Sequence, residues 1–142
     1  AETVQEQYLI AVVRNDEAGW RAVGQYFSEP TETHRAYQAK SMLQLAQLYA
    51  SIGKYREADH VLERLHRDQD VHRLYQAVAL ARRCQVLEQL GGGDQLTDLR
   101  LQLKTMYAGL QNDNSQIAED FDAIIGEDER LQLGIGATGR ET

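Results

Sequence analysis

The sequence predicts an all-α fold, and three observations predict it. Apolar residues recur at helical spacing along most of the 142-residue chain. No segment sustains the alternation of apolar and polar residues that marks a half-buried strand. A single proline, Pro30, interrupts the pattern, so long stretches are free to be helical. The composition is that of a globular protein, 42% apolar and 26% charged. A chain of this length buries roughly 68–70% of the surface its unfolded form exposes, so it needs no disulfide or metal staple. Cys84 is the one cysteine and excludes a disulfide scaffold. The longest apolar run, Tyr8 to Val13, falls far short of the ~18 residues a membrane helix needs.

Seven helices follow in order. The first is expected over 3–14. Asn15-Asp16 then offers an N-cap to a helix over 17–28 carrying Trp20, Val23 and Phe27. Ser28-Glu29-Pro30-Thr31 ends that helix and starts the next, because proline disfavours helical geometry in the residue before it. Segment 34–52 has two apolar rows: Ala36, Ala39, Leu43, Ala46 and Ala50, then Met42, Leu45, Tyr49 and Ile52. Gly53 supplies a left-handed stop, and Tyr55, Ala58, Val61, Leu62 and Leu65 form the face of a helix over 55–66.

The fifth helix again has two rows, Val71, Leu74, Val78 and Ala81 beside Ala77, Leu80, Cys84 and Leu87, which predicts burial on two sides. Gly91-Gly92-Gly93 terminates it, and Asp94 is the expected N-cap of the sixth. There, Leu96, Leu99, Leu103, Met106 and Leu110 make one stripe over 95–110. Asp113 with Gln116 has the form of a capping box for a last helix over 115–125, with Ile117, Phe121 and Ile124 on one edge. Residues 127–142 are expected to be an acidic, Gly-rich tail, leaving 1–126 as the helical domain.

Charge is concentrated at that end. Residues 111–142 carry eight acids against Arg130 and Arg140, a net of −6 out of −7 for the chain, leaving 1–110 at −1. Neither part has the net basic surface that nucleic-acid binding requires. His66, Arg67, His72, Arg73, Arg82 and Arg83 form a locally basic stretch, but Asp68 and Asp70 are interspersed and no aromatic platform accompanies it.

One segment has a recognisable pattern. Leu45-Ala46, Tyr49, Gly53, Tyr55 and Ala58, between Met42 and Leu65, resemble a tetratricopeptide repeat (TPR) in residue type and spacing. Packing explains the pattern: Ala46 and Ala58 are small where two antiparallel helices cross, and Tyr49 and Tyr55 fill the wider gaps. A 38-residue shift sets Leu80, Cys84, Leu87 and Gly91 on Met42, Ala46, Tyr49 and Gly53, without the second aromatic or the second Ala. The resemblance covers about 30–110 and is specific in 39–65. It implies a right-handed α-solenoid of about three helical hairpins closed by a C-terminal capping helix. It is closest in style to TPR-like domains of bacterial envelope proteins, whose hairpin arrays follow a membrane anchor. The start at Ala1 rather than Met fits the removal of an upstream segment. Either an envelope-facing or a cytoplasmic location fits.

The resemblance also implies a concave groove on the first helix of each hairpin. Carried over, its inner face is Lys40, Leu43, Gln47, Ala50 and Ser51, continued by Val78, Ala81, Gln85, Glu88 and Gln89. Lys40 alone has clamp-like charge among them. A groove of Gln, Ala, Leu and Val suits a peptide held by modest polar and apolar contacts. The acidic tail could fold back as an internal pseudo-ligand near Lys40 and Arg82.

No catalytic or cofactor pattern competes with this reading. Gly134-Ile135-Gly136-Ala137-Thr138-Gly139 has the letters of a dinucleotide fingerprint, but only three residues follow, too few for the helix that receives a pyrophosphate. His34, His60, His66 and His72 lack metal-ligand spacing, and the acids of 119–129 lack the ligand order of a calcium loop. Ser28, Ser41, Ser51 and Ser115 sit in no nucleophile elbow, and Cys84 occupies a packing slot. The expectation is a non-catalytic scaffold without metal or cofactor that binds a partner protein or peptide. The alternatives are self-association through exposed apolar surface or the tail (Leu131, Leu133, Ile135), and a regulatory domain of a larger membrane-anchored or multidomain protein.

Overall fold

The computed structural model describes residues 3–26 and 31–135, and every described element is helical. The helices are α1 Val4–Arg14, α2 Glu17–Tyr26, α3 Glu32–Ser51, α4 Tyr55–Arg67, α5 Arg73–Gln89, α6 Gly93–Asp113, α7 Ser115–Ile125 and α8 Glu127–Leu133. Seven match the expected helices within a few residues. The eighth is a correction: residues 127–135 are not a tail. Leu133 and Ile135 are buried in the core, and Arg130 reaches Asp122 at 3.5 Å. The acidic count of the segment concealed this apolar pair.

Side chains start the helices where backbone N–H groups have no intrahelical partner. Thr3 accepts from the N–H of Glu6, and Thr31 from that of His34. Asp16 accepts from the N–H of Gly19 at 2.6 Å, as expected. Two caps differ. Asn114, not Asp113, accepts from the N–H of Ile117, because α6 continues through Asp113. At the start of α6, Gly92 is the N-cap, with φ +71°, and Asp94 lies in the first turn instead. The α3–α4 turn runs through Gly53 at φ +80°, a conformation that costs glycine little.

Each helix packs on the next, and α1, α3, α5 and α7 also pack on one another in sequence. Helix α5 is the hub. Ala79 and Val86 join a core with α1–α4 built from Trp20, Val23, Leu45, Ala46, Tyr49, Ala58 and Leu62. Its Val78, Leu80, Ala81, Cys84 and Leu87 join a second core with Leu99, Leu103 and Leu110 of α6, Phe121 of α7, and Leu133. Apart from Val71, which packs against the first core, the two apolar rows of this segment thus lie in the second core, and Ala79 and Val86 bury the other side. Fully burying a side chain such as Phe121 or Leu62 stabilises the fold by about 1.5–3 kcal/mol.

One buried cation ties α5 to α4. Arg83 is 2% exposed; its Nε donates to Asp59 Oδ1 at 2.7 Å and its Nη2 to Glu63 Oε2 at 3.2 Å. Pairing with two carboxylates offsets the cost of removing the guanidinium from water.

Candidate functional site

Where the C-terminal halves of α3 and α5 meet α4, the chain forms an open cavity of about 360 Å³. Its apolar lining is Leu43, Ala46 and Ala50 of α3, Leu62 of α4 and Val86 of α5. These positions recur at three- or four-residue spacing, so each helix turns the same stripe toward the space. Tyr55 stands at the start of α4, while Gln47, Gln85 and Gln89 bring side-chain amides. A cavity of this size, apolar with a few convergent polar groups, takes one or two side chains of a ligand.

The charged groups are Arg82 of α5 and Glu129 of α8. Arg82 Nη1 donates to Glu129 Oε2 at 2.5 Å and to Gln85 Oε1 at 3.2 Å. Both charged side chains are about a third exposed, so water screens the pair and weakens it. Among the described residues, the side-chain amides of Gln47 and Gln89 are unpartnered and so open to a ligand. Amides offer both donors and acceptors, as backbone recognition of a peptide requires.

Of the ten residues expected to form the groove, Leu43, Gln47, Ala50, Gln85 and Gln89 line this cavity. The others do not. Val78 and Ala81 are buried, 1% and 0% exposed, in the core that α5 shares with α6 and α7. The 38-residue shift carried over the face of α3, but on α5 the first part of that face is buried against α6 and α7, and only Gln85 and Gln89 reach the cavity. Lys40 places its ammonium 5.2 Å from the centre of the Tyr37 ring. The Ser51 hydroxyl donates to the Leu48 carbonyl at 2.7 Å, and Glu88 pairs with Arg100. The groove assignment missed six lining residues: apolar Ala46, Leu62 and Val86, and Tyr55, Arg82 and Glu129. Arg82 was visible as part of a basic stretch and, with Lys40, as a place where the acidic tail could fold back, and Glu129 belongs to that acidic segment.

That basic stretch is largely consumed internally: Arg83 and Arg67 pair with acids of α4, and Arg82 pairs with Glu129. A second cavity, of about 760 Å³, lies at the other end of α3 against the α4–α5 connection. It sets Glu32 and Asp70 beside Arg35 and Arg73, so it presents no single sign of charge.

Burial pushes the Cys84 thiol up to about 11, which leaves it protonated and unreactive near neutrality. Among the described residues, no three His, Cys, Asp or Glu side chains converge as a metal would require. Nor is any described helix long and apolar enough to cross a membrane. The Gly134–Gly139 run lies, from Gly136 onward, outside the described residues. Comparison with family models, with curated proteins and with solved structures gives no match.

Proposed function

We infer that this chain is a non-catalytic scaffold that holds a segment of a partner protein in the cavity between α3 and α5. The observation that carries the reading is convergence: five residues assigned to a groove from the repeat pattern line one cavity with a mixed amide and apolar surface. The packing of α1, α3, α5 and α7 on one another supports a TPR-like solenoid: three hairpins, α1/α2, α3/α4 and α5/α6, closed by α7 and α8. Stacked hairpins give a rigid groove, and a rigid groove loses little entropy when a peptide binds.

Affinity capture from a lysate of the source organism tests this. The bait is the chain, alongside a variant with Gln47→Ala, Gln85→Ala and Gln89→Ala whose circular dichroism matches. A protein held by the wild type and released by the variant is the expected result. Equal retention by both would place recognition elsewhere and overturn the reading.

A second reading, self-association, rests on α1. Leu9 is 63%, Val12 48% and Val13 87% exposed on this terminal helix, an apolar face without a described neighbour. The tail, by contrast, is withdrawn as an association surface, since Leu133 and Ile135 are buried. Light scattering that gives a monomer at high concentration removes this second reading. A dimer lost on Val13→Glu supports it.

A further inference from the structure

We propose that Arg82 is the carboxylate-reading residue of the α3–α5 groove, and that Glu129 occupies its site as an internal stand-in for an acidic residue of the partner. This rests on the groove reading above. Three observations carry it. First, Arg82 is a cation that lines the cavity, and Gln85 holds it: the 3.2 Å bond from Nη1 to Gln85 Oε1 fixes the guanidinium against the wall. Second, the site already holds a carboxylate, delivered by a different part of the chain, with Nη1 2.5 Å from Glu129 Oε2.

Third, α8 does not depend on that contact to stay in place. Leu133 and Ile135 are 5% and 3% exposed in the core, and Arg130 pairs with Asp122. Glu129 can therefore swing away from Arg82 while its helix remains docked. An ion pair about a third exposed is screened by water and weakened, so an incoming carboxylate competes with it.

The ligand class follows. Arg82 shares the cavity lining with apolar Leu43 and Val86 and with the amide of Gln47. This combination fits a peptide with Glu or Asp flanked by aliphatic side chains, its carboxylate on Arg82 and an aliphatic neighbour in the cavity. A guanidinium suits this better than an ammonium, because its planar fork accepts a carboxylate in two parallel bonds.

The test titrates two probes into the full ¹⁵N-labelled chain by NMR: acetyl-Leu-Glu-Leu-amide and acetyl-Leu-Gln-Leu-amide. Expected is a shift of the Arg82 Nε–H and Gln85 amide signals with the acidic peptide. Its affinity rises about two- to fivefold in Glu129→Gln, because the internal competitor is gone, and is lost in Arg82→Gln. The neutral peptide is indifferent to both changes. Binding of both peptides beside Leu43 and Val86 regardless of charge or variant would overturn the carboxylate reading and leave the groove standing. If neither peptide perturbs a groove residue in any variant, the carboxylate reading and the groove fall together. Because all three chains keep Leu133 and Ile135, matching spectra away from the site show that the fold is unchanged.

Discussion

The two cores on either side of α5 are built in different ways. The N-terminal core packs alanines at its helix crossings, Ala39, Ala46 and Ala58, and fills the remaining space with rings. Tyr8 lies 5.7 Å from Trp20 and 5.2 Å from Tyr37, centroid to centroid. The C-terminal core runs on leucines, Leu80, Leu87, Leu99, Leu103 and Leu110, with a single ring pair, Tyr107 and Phe121, 5.5 Å apart. Small residues facing large rings impose fixed positions, and fixed positions leave a pattern in sequence. Leucines interdigitate in several ways and leave only a period. That is why a repeat is recognisable in 39–65 and dissolves beyond it.

The two cores share one device at the rim. In each, a tyrosine hydroxyl donates to a carboxylate that also meets an arginine. Tyr49 donates to Glu17 Oε1 at 2.5 Å, with Arg21 at 3.2 Å from the same oxygen. Tyr107 donates to Asp122 Oδ1 at 2.7 Å, with Arg130 at 3.5 Å. The N-terminal triad joins α2 to α3, and the C-terminal one joins α6 to α7 and α8.

If α5 binds the cores into one cooperative unit, the largest effects come from deleting volume on either side. Phe121→Ala should cost about 3–5 kcal/mol and Leu62→Ala about 2–5 kcal/mol. Urea unfolding should show one transition, displaced in both variants. Two transitions, each sensitive to one substitution, would divide the molecule at α5. Next comes Arg83→Ala, which leaves Asp59 and Glu63 facing each other without their cation. A loss of about 3 kcal/mol is expected, at the low end for a broken buried pair because both acids are partly exposed. A loss below about 1 kcal/mol would show that water already screens the pair.

Smaller still, Tyr107→Phe should cost about 1 kcal/mol. Tyr49→Phe should cost less, since Glu17 and Arg21 are half exposed. The reverse order would contradict the ranking of the two triads.

The smallest effect is a pH dependence confined to the N-terminal side. Burial first, then Arg83, hold the His66 imidazole below its ordinary 6.5, and its Nδ1 has no partner. The unfolded chain therefore binds a proton that the folded chain refuses. Stability is full above pH 6.5 and falls as pH drops below it, levelling once the folded imidazole titrates. His66→Gln should flatten the slope between pH 7 and 5. An unchanged slope would assign the effect to other groups.

The helices were legible because burial on one face forces a period; the two rows on α5 face one core, and its second covered side is made by Ala79 and Val86, which lie in neither row. Cap positions slipped by one residue where neighbours compete: Asp113 and Asn114 can both accept an N–H, and only the end of α6 decides between them. The site was half legible. Leu43, Gln47 and Ala50 lie on a helix whose repeat pattern is clear, and they line the cavity, while Lys40 and Ser51 of the same helix do not. Val78 and Ala81 did not, because this part of α5 is buried in the core shared with α6 and α7, whereas the matching Lys40 and Leu43 of α3 are only partly buried. That acidic residues 127–142 could fold back toward Arg82 was legible from charge, but Glu129 itself was not, since its position depends on two buried side chains, Leu133 and Ile135, at the end of an acidic run.

Hydrogen exchange of the full chain, free and bound to the captured partner, reports where the partner sits. Added protection is expected in the second half of α3 and of α5, around Leu43 to Ala50 and Arg82 to Gln89, with α1 unchanged. Protection confined to α1, around Leu9 to Val13, would contradict the groove reading and move recognition to the apolar face of the first helix.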